Sequence, residues 1–484
     1  MALSNTKKVF ALSFGKALTS VIGVISAMIL TRLLSVEDYA TYRQTLLVFS
    51  FMVPILTLGL PDSIYFFLGN EQDRKRGLVN DNLFLLFIMG TLYALFIFAG
   101  GNQIWANRFN NPHLVETLKI FAPYAIFTLP MATIAATLVV QNKVTTLTIF
   151  NIISRVFLFL FVVIAAFLFK DVLYIVSAEV ISSALVFISI LILIYKNVPN
   201  DNAKVSKSGM WKILKYSIPL GLSALLGTLS VQLNQVIVSS MSSPVQYAIY
   251  ANGTTEIPVI GMITGSIATI ILVEMRQLIA AGKSDEALIL FRKAALKSAP
   301  ILIPLMFFLL VMSKQFIEVI YSTKYSESVQ FFRIYLLILP ARIIYYSSAL
   351  LAFGLSRKVL FRSIFSLIFN ALLTIIMVYA IGTMGAIIAY IAVVYLWDVS
   401  YNFRILSQKF NCKWYELLPL KDIGKIAIVS LSIAVLLIPF TLVSLNAVMS
   451  LLFAAIVYYS LIYILLRRFK LMDFDLIAIL KNRF

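Results

Sequence analysis

Long apolar runs separated by short polar clusters make up almost the whole chain. Scanning for segments of roughly 20 apolar residues, the length that crosses about 30 Å of hydrocarbon, gives fourteen spans. They cover 10–34, 42–68, 82–101, 117–140, 145–169, 172–195, 214–240, 246–273, 295–313, 330–353, 359–381, 384–403, 425–443 and 447–466. The pattern predicts an all-α polytopic membrane protein. The first span follows Lys7 and Lys8, yet it is too long for the apolar core of a signal peptide, and no small-residue cleavage site comes after it. It reads as a transmembrane helix.

The longest polar connection, from Lys196 to Lys212, falls after the sixth span and divides the chain. Before it, Ile29 to Gln44 reads ILTRLLSVEDYATYRQ, a helix end, an acidic turn and a new helix start. The core of that stretch recurs: Asp38 to Tyr42 is DYATY, and Gln246 to Tyr250, 208 positions later, is QYAIY. Each follows a comparable helix and a short turn. This points to a parallel duplication in which helices one to six correspond to helices seven to twelve, built as two lobes around a central cavity. The expected organisation is an N-lobe over 1–200, a C-lobe over 201–408 and a C-terminal helix pair over 409–484.

Composition agrees with this picture and orients it. Hydrophobic residues make up 61% of the 484 and charged residues 13%, with a mean hydropathy of +0.96, far more apolar surface than a soluble core could hide. The net charge of +19 would suggest nucleic acid in a soluble protein. Here its distribution excludes that partner. Loops on the side of the N-terminus hold 29 cations and the opposite loops hold 8, so the positive-inside rule places both termini in the cytoplasm. Cys412 and His113 are the single cysteine and histidine, leaving no disulfide and no clustered metal ligands. No extramembrane stretch is long enough for a catalytic domain, and no glycine-rich phosphate loop follows a plausible strand. A non-enzymatic function within the bilayer is expected, with no cofactor.

The motifs LTRLLSVEDYATYRQ and LGLPDSIYFFLG, with Pro61 and Asp62, resemble the polysaccharide flippases of the multidrug, oligosaccharidyl-lipid and polysaccharide exporter superfamily. LKYSIPLGLSALLGTLSVQLNQVIVSSM, with Pro219, is similar to that family's second-lobe opening. Many relatives have an acidic residue where this chain reads Leu233, Asn234 and Gln235, so a coupling role for that acid does not carry over. The resemblance implies translocation of an undecaprenyl pyrophosphate-linked oligosaccharide across the bacterial cytoplasmic membrane by alternating access, for lipopolysaccharide or capsule synthesis. It also implies membrane lipids, a polysaccharide polymerase and a chain-length regulator as partners, and H+ or Na+ as a coupling ion. A cation-coupled multidrug exporter of the same superfamily is the first alternative. A membrane-embedded glycan polymerase is the second, although such enzymes use a long external loop or an aspartate-rich metal site that this chain lacks.

Ionisable residues inside hydrocarbon are costly and mark cavities. Lys16, Arg155 and Arg342 lie deep in predicted helices, and polar stripes run alongside them at helical spacing: Ser13, Lys16, Ser20 and Gly23; Thr148, Asn151 and Arg155; Ser223, Gly227, Ser230 and Asn234; Arg362, Ser366, Asn370 and Thr374. Fixed cations suit an anionic headgroup, because an arginine fork matches phosphate oxygens. Lys16, Arg155, Arg342, Arg362, Asn370 and Asn234 are therefore the substrate-binding candidates. Lys16 could equally snorkel, and Arg342, after Pro340, could cap carbonyls of a kinked helix. Glu179, Glu256 and Asp398 either pair with these cations or titrate in coupling. Glu256 lies in an irregular patch between Asn252 and Pro258. Asp38 and Asp62 complete the gating candidates, with Arg32, Glu37, Asp38 and Arg43 placed at the outer mouth. Tyr345, Tyr346, Tyr390 and Tyr395 are suited to stacking on sugars or to anchoring at the interface.

Overall fold

The computed structural model describes residues 5–70, 73–199, 201, 204–442 and 446–471. They form helices joined by short turns, and no strand is present among them. Nine helices among the described residues are long and apolar enough to cross a membrane, or eleven if each of two bent pairs is one span. The bends are 49° between Leu114–Phe121 and Tyr124–Val140, and 41° between Ser328–Leu336 and Leu339–Ala352. Pro123 and Pro340 sit at these breaks, where a proline removes a backbone donor. The expected spans 10–34, 214–240 and 425–443 fall on the helices Asn5–Leu33, Lys207–Met241 and Leu420–Val435. The expected span 246–273 is interrupted: Pro244–Gly253 ends, residues 254–257 are non-helical, and Pro258–Ala280 begins.

The duplicated motif has the same local physics in both copies. Ser35 Oγ accepts from Asp38 N at 3.0 Å and donates to Asp38 Oδ2 at 2.9 Å, capping the helix Val36–Thr57. Ser243 Oγ accepts from Gln246 N at 3.2 Å, and Ser243 N donates to Gln246 Oε1 at 3.4 Å, at the start of Pro244–Gly253. Both are reciprocal caps that satisfy donors a helix start leaves free. The residues that follow, Tyr39, Ala40 and Tyr42 in one copy and Tyr247, Ala248 and Tyr250 in the other, are all buried. The motif is thus a cap joined to a buried face.

By backbone contacts the chain forms two compact units, residues 1–251 with 370–386, and residues 252–369 with 387–484. The helix Ser356–Ile381 contributes its first half to the second unit and its second half to the first. In the second unit the last helix, Ala447–Arg468, is tied down by buried Tyr458, whose hydroxyl lies 3.0 Å from the Pro304 carbonyl oxygen and 3.2 Å from that of Ser430.

Within the first unit the LGLP sequence makes a second close contact. Leu58 adopts the left-handed conformation (φ 42°) and Gly59 follows it (φ 72°), so the chain swings from Val36–Thr57 into Leu60–Asn70. This turn presses on Lys207–Met241 just beyond Pro219. A Cβ on Gly221 would lie 2.1 Å from the Leu58 carbonyl carbon and 2.6 Å from Gly59 N, both backbone atoms that cannot step aside. Gly221→Ala should therefore cost about 1–3 kcal/mol through overpacking. A lowered thermal midpoint of purified protein would show it, and an unchanged midpoint would mean that the contact yields freely.

The polar connection after the helix Val172–Asn197 folds onto the start of Lys75–Phe96. Asp201 accepts from Lys75 N at 2.6 Å and from Arg76 N at 2.8 Å, placing a carboxylate where the helix dipole favours one. Arg74 pairs with fully buried Asp81 at 2.8 Å and donates to the Lys204 carbonyl at 2.6 Å. Ser206 N donates to the same Asp81 carboxylate at 2.8 Å. Gly209 lies so close to this pair that a Cβ would stand 2.0 Å from Asp81 Oδ2.

Candidate functional site

The first unit contains a cavity of about 190 Å³. The helix Asn5–Leu33 supplies a wall of small residues, Gly23, Ser26 and Ala27. Val144–Phe169 contributes Arg155, Val172–Asn197 contributes Glu179, and Val36–Thr57 contributes Tyr39, Tyr42 and Arg43. From the polar stripes read on helices one and five, Gly23 and Arg155 face each other. A Cβ on Gly15 would meet Thr148 at 2.7 Å, and one on Gly23 would meet Arg155 Nη2 at 3.2 Å. Gly23 thus leaves the room that the Arg155 guanidinium occupies.

Two arginines and one acid share this small space. Tyr42 donates to Glu179 Oε1 at 2.5 Å, while buried Glu179 Oε2 has no hydrogen-bond partner among the described residues. Arg155 makes no ion pair or hydrogen bond among the described residues. Its donor fork is available to a ligand. A second fixed positive charge comes from Arg43, on the same helix as Tyr42.

Arg43 corrects the expectation that it lies at the outer mouth, away from the cavity. The span was read as starting at position 42, whereas the helix starts at Val36, so Arg43 is about two turns in. The capping pattern from Ser35 to Asp38 was the signal in the sequence that could have found this. Tyr39, Tyr42 and Tyr124 were also not singled out as lining residues, because a buried tyrosine beside an apolar face looks the same in sequence whether it fills a core or a cavity wall.

The other candidates fall into separate places. The Lys16 side chain lies outside the described residues, as do those of Ser223, Gly227 and Ser230. Asn234, Asn370 and Thr374 come together in the first unit: Asn370 Nδ2 and Thr374 Oγ1 each donate to Asn234 Oδ1 at 3.0 Å, and all three are buried. Their polar groups address one another. Asp38 is engaged in its cap with Ser35, and Asp62 is exposed in the first turn of Leu60–Asn70.

In the second unit the remaining cations meet acids. Arg342 Nη2 is 3.4 Å from Glu256 Oε1, and the latter belongs to the irregular segment between two helices. Arg362 Nε is 3.8 Å from Asp398 Oδ1, and Ser366 donates to Asp398 Oδ2 at 3.1 Å. Asp398 lies in a π-helical turn, Val394–Val399, and Trp397 Nε1 donates to the Arg362 carbonyl at 3.2 Å. Of the two roles open to these acids, pairing is the one the geometry displays for Glu256 and Asp398. Tyr345 is buried, and Tyr395 donates to the Leu337 carbonyl at 2.6 Å.

Apolar spans, cavity and broken helices together define a multi-pass helical membrane protein with a transporter fold. The structure of a lipid II flippase, MurJ, in an inward closed conformation is similar with a TM-score of 0.75 at 16% identity, covering 96% of this chain and 100% of that one. An inward-facing MATE-family multidrug resistance transporter of the MOP superfamily is similar with a TM-score of 0.60 at 15% identity, covering 81% and 95%. A MOP superfamily transporter from Pyrococcus furiosus, described as having a binding pocket of reverse polarity, gives 0.56 at 14% identity, covering 84% and 97%. At these identities the likeness is one of fold. Among curated proteins none matches the chain in sequence. The family described as Polysaccharide biosynthesis protein matches residues 5–273, more than half of the chain, and the chain belongs to that family.

Proposed function

We propose that this protein is a flippase that carries an undecaprenyl pyrophosphate-linked oligosaccharide from the cytoplasmic to the outer leaflet of the bacterial cytoplasmic membrane. It serves surface polysaccharide synthesis, has both termini in the cytoplasm, and alternates access between lobes 1–200 and 201–408, with 409–484 as an appended helix pair. The observation that carries this reading is the cavity that holds both Arg43 and Arg155. A planar guanidinium in a site poor in water binds phosphate oxygens strongly, and the volume suits a diphosphate with its sugars and lipid outside. Glu179, the one acid lining the cavity among the described residues, is outnumbered by the two arginines, so the cavity favours an anion. It also remains the candidate for coupling transport to H+ or Na+. Membership of a polysaccharide biosynthesis family and a fold shared with a lipid flippase support the same cargo class.

A multidrug exporter reading draws on the fold shared with MATE transporters. Cationic drugs would need an acidic cavity, and this one has two arginines to one glutamate. Deleting the gene tests the choice. The flippase reading expects a pyrophosphate-linked oligosaccharide to build up on the cytoplasmic face of the membrane. An unaltered lipid-linked pool, with increased sensitivity to cationic dyes, would replace it with the exporter reading.

A further inference from the structure

We infer that the Arg342–Glu256 pair in the second unit, with the tyrosines around it, is a saccharide subsite distinct from the phosphate cavity. The inference rests on the flippase reading only in that the cargo carries sugars. Three observations carry it. First, the pair is accessible: at 3.4 Å separation, the Arg342 side chain keeps 38% and the Glu256 side chain 45% of its surface exposed. The Arg362–Asp398 pair, at 14% and 12%, is enclosed and structural by comparison. Second, three tyrosines lie within electrostatic reach of Arg342, namely Tyr335, Tyr346 and Tyr390. Third, the carboxylate faces a glycine on the helix Pro258–Ala280. A Cβ on Gly261 would be 3.8 Å from Glu256 Oε1, and one on Gly265 would meet nothing within 4 Å.

The chemistry selects a neutral, hydroxyl-rich ligand. An arginine neutralised by a glutamate has little attraction left for a diphosphate, whereas adjacent donors and acceptors match adjacent hydroxyls. Tyrosine rings supply apolar faces for the C–H faces of a sugar, with hydroxyls at their rims.

The test uses purified full-length protein in detergent and two kinds of probe: sodium pyrophosphate, and a panel of phosphate-free sugars comprising glucose, N-acetylglucosamine, rhamnose and lactose. Binding is read by saturation-transfer NMR and by thermal shift. At least one sugar should bind the wild type. Its affinity should fall about tenfold, the equivalent of roughly 1.4 kcal/mol, in Tyr390→Ala and in the double variant Glu256→Gln with Arg342→Gln. Pyrophosphate affinity should hold in both variants and fall in Arg155→Ala, which should keep the sugar. The double variant preserves side-chain shape, so it guards against a Tyr390→Ala protein that does not fold. No binding of any panel sugar, sugar binding indifferent to both variants, or displacement of the sugar by pyrophosphate would each overturn the subsite. Arg155-dependent pyrophosphate binding without sugar binding would leave the flippase reading standing, and sugar binding without it would do the reverse.

Discussion

Arg155→Ala should remove surface polysaccharide while the protein stays in the membrane at its normal level. The guanidinium makes no ion pair or hydrogen bond among the described residues, so its loss breaks no bond that holds the helices together. The effect should fall on the ligand. A hydrogen bond to a charged group contributes about 1.5–3 kcal/mol, so one lost arginine should slow transport roughly 10- to 100-fold. Arg155→Lys should recover part of this, because it keeps the charge and loses the planar fork. Arg43→Ala should act in the same direction. Immunoblotting of membranes with staining of surface glycan on the same cells separates transport from abundance. Normal glycan in Arg155→Ala would remove the observation on which the proposed function stands.

The second large effect is expected at Asp81, which does not line the cavity. Its carboxylate is fully buried, pairs with Arg74 at 2.8 Å and accepts from Ser206 N at 2.8 Å. Asp81→Ala leaves Arg74, a mostly buried cation, without its partner, at a cost of about 3–5 kcal/mol. It also frees the connection between Val172–Asn197 and Lys207–Met241 from the start of Lys75–Phe96. A lower steady-state level, a lower thermal midpoint and faster limited proteolysis between 198 and 206 should appear together. Asp81→Asn, which keeps an acceptor for Ser206 N, should be milder. Wild-type melting and proteolysis in Asp81→Ala would show that the buried pair contributes nothing to holding this connection.

Much of the site was legible in part. The stripes Ser13–Gly23 and Thr148–Arg155 were visible because helical spacing puts residues three and four apart on one side, and Gly23 against Arg155 shows the two meeting at one point. The broken span around Glu256 was legible as polar residues ahead of Pro258, where a helix loses a donor. Arg43 was misplaced because a boundary was read six residues late, and in a helix that rotates a side chain from the mouth into the wall.

By itself the sequence determined that this is an all-helical multi-pass protein and that one capped motif occurs twice. Those properties follow from the free energy of placing each residue in hydrocarbon and from local hydrogen bonds, both of which act over one or two turns. Only the tertiary structure decided which charges meet. Arg155 and Arg43 share a cavity with Glu179, Arg342 pairs with Glu256, Arg362 pairs with Asp398, and Asn234 turns to Asn370 and Thr374. A charge's partner depends on distances between helices far apart in the chain, and the periodicity of one helix carries no record of them.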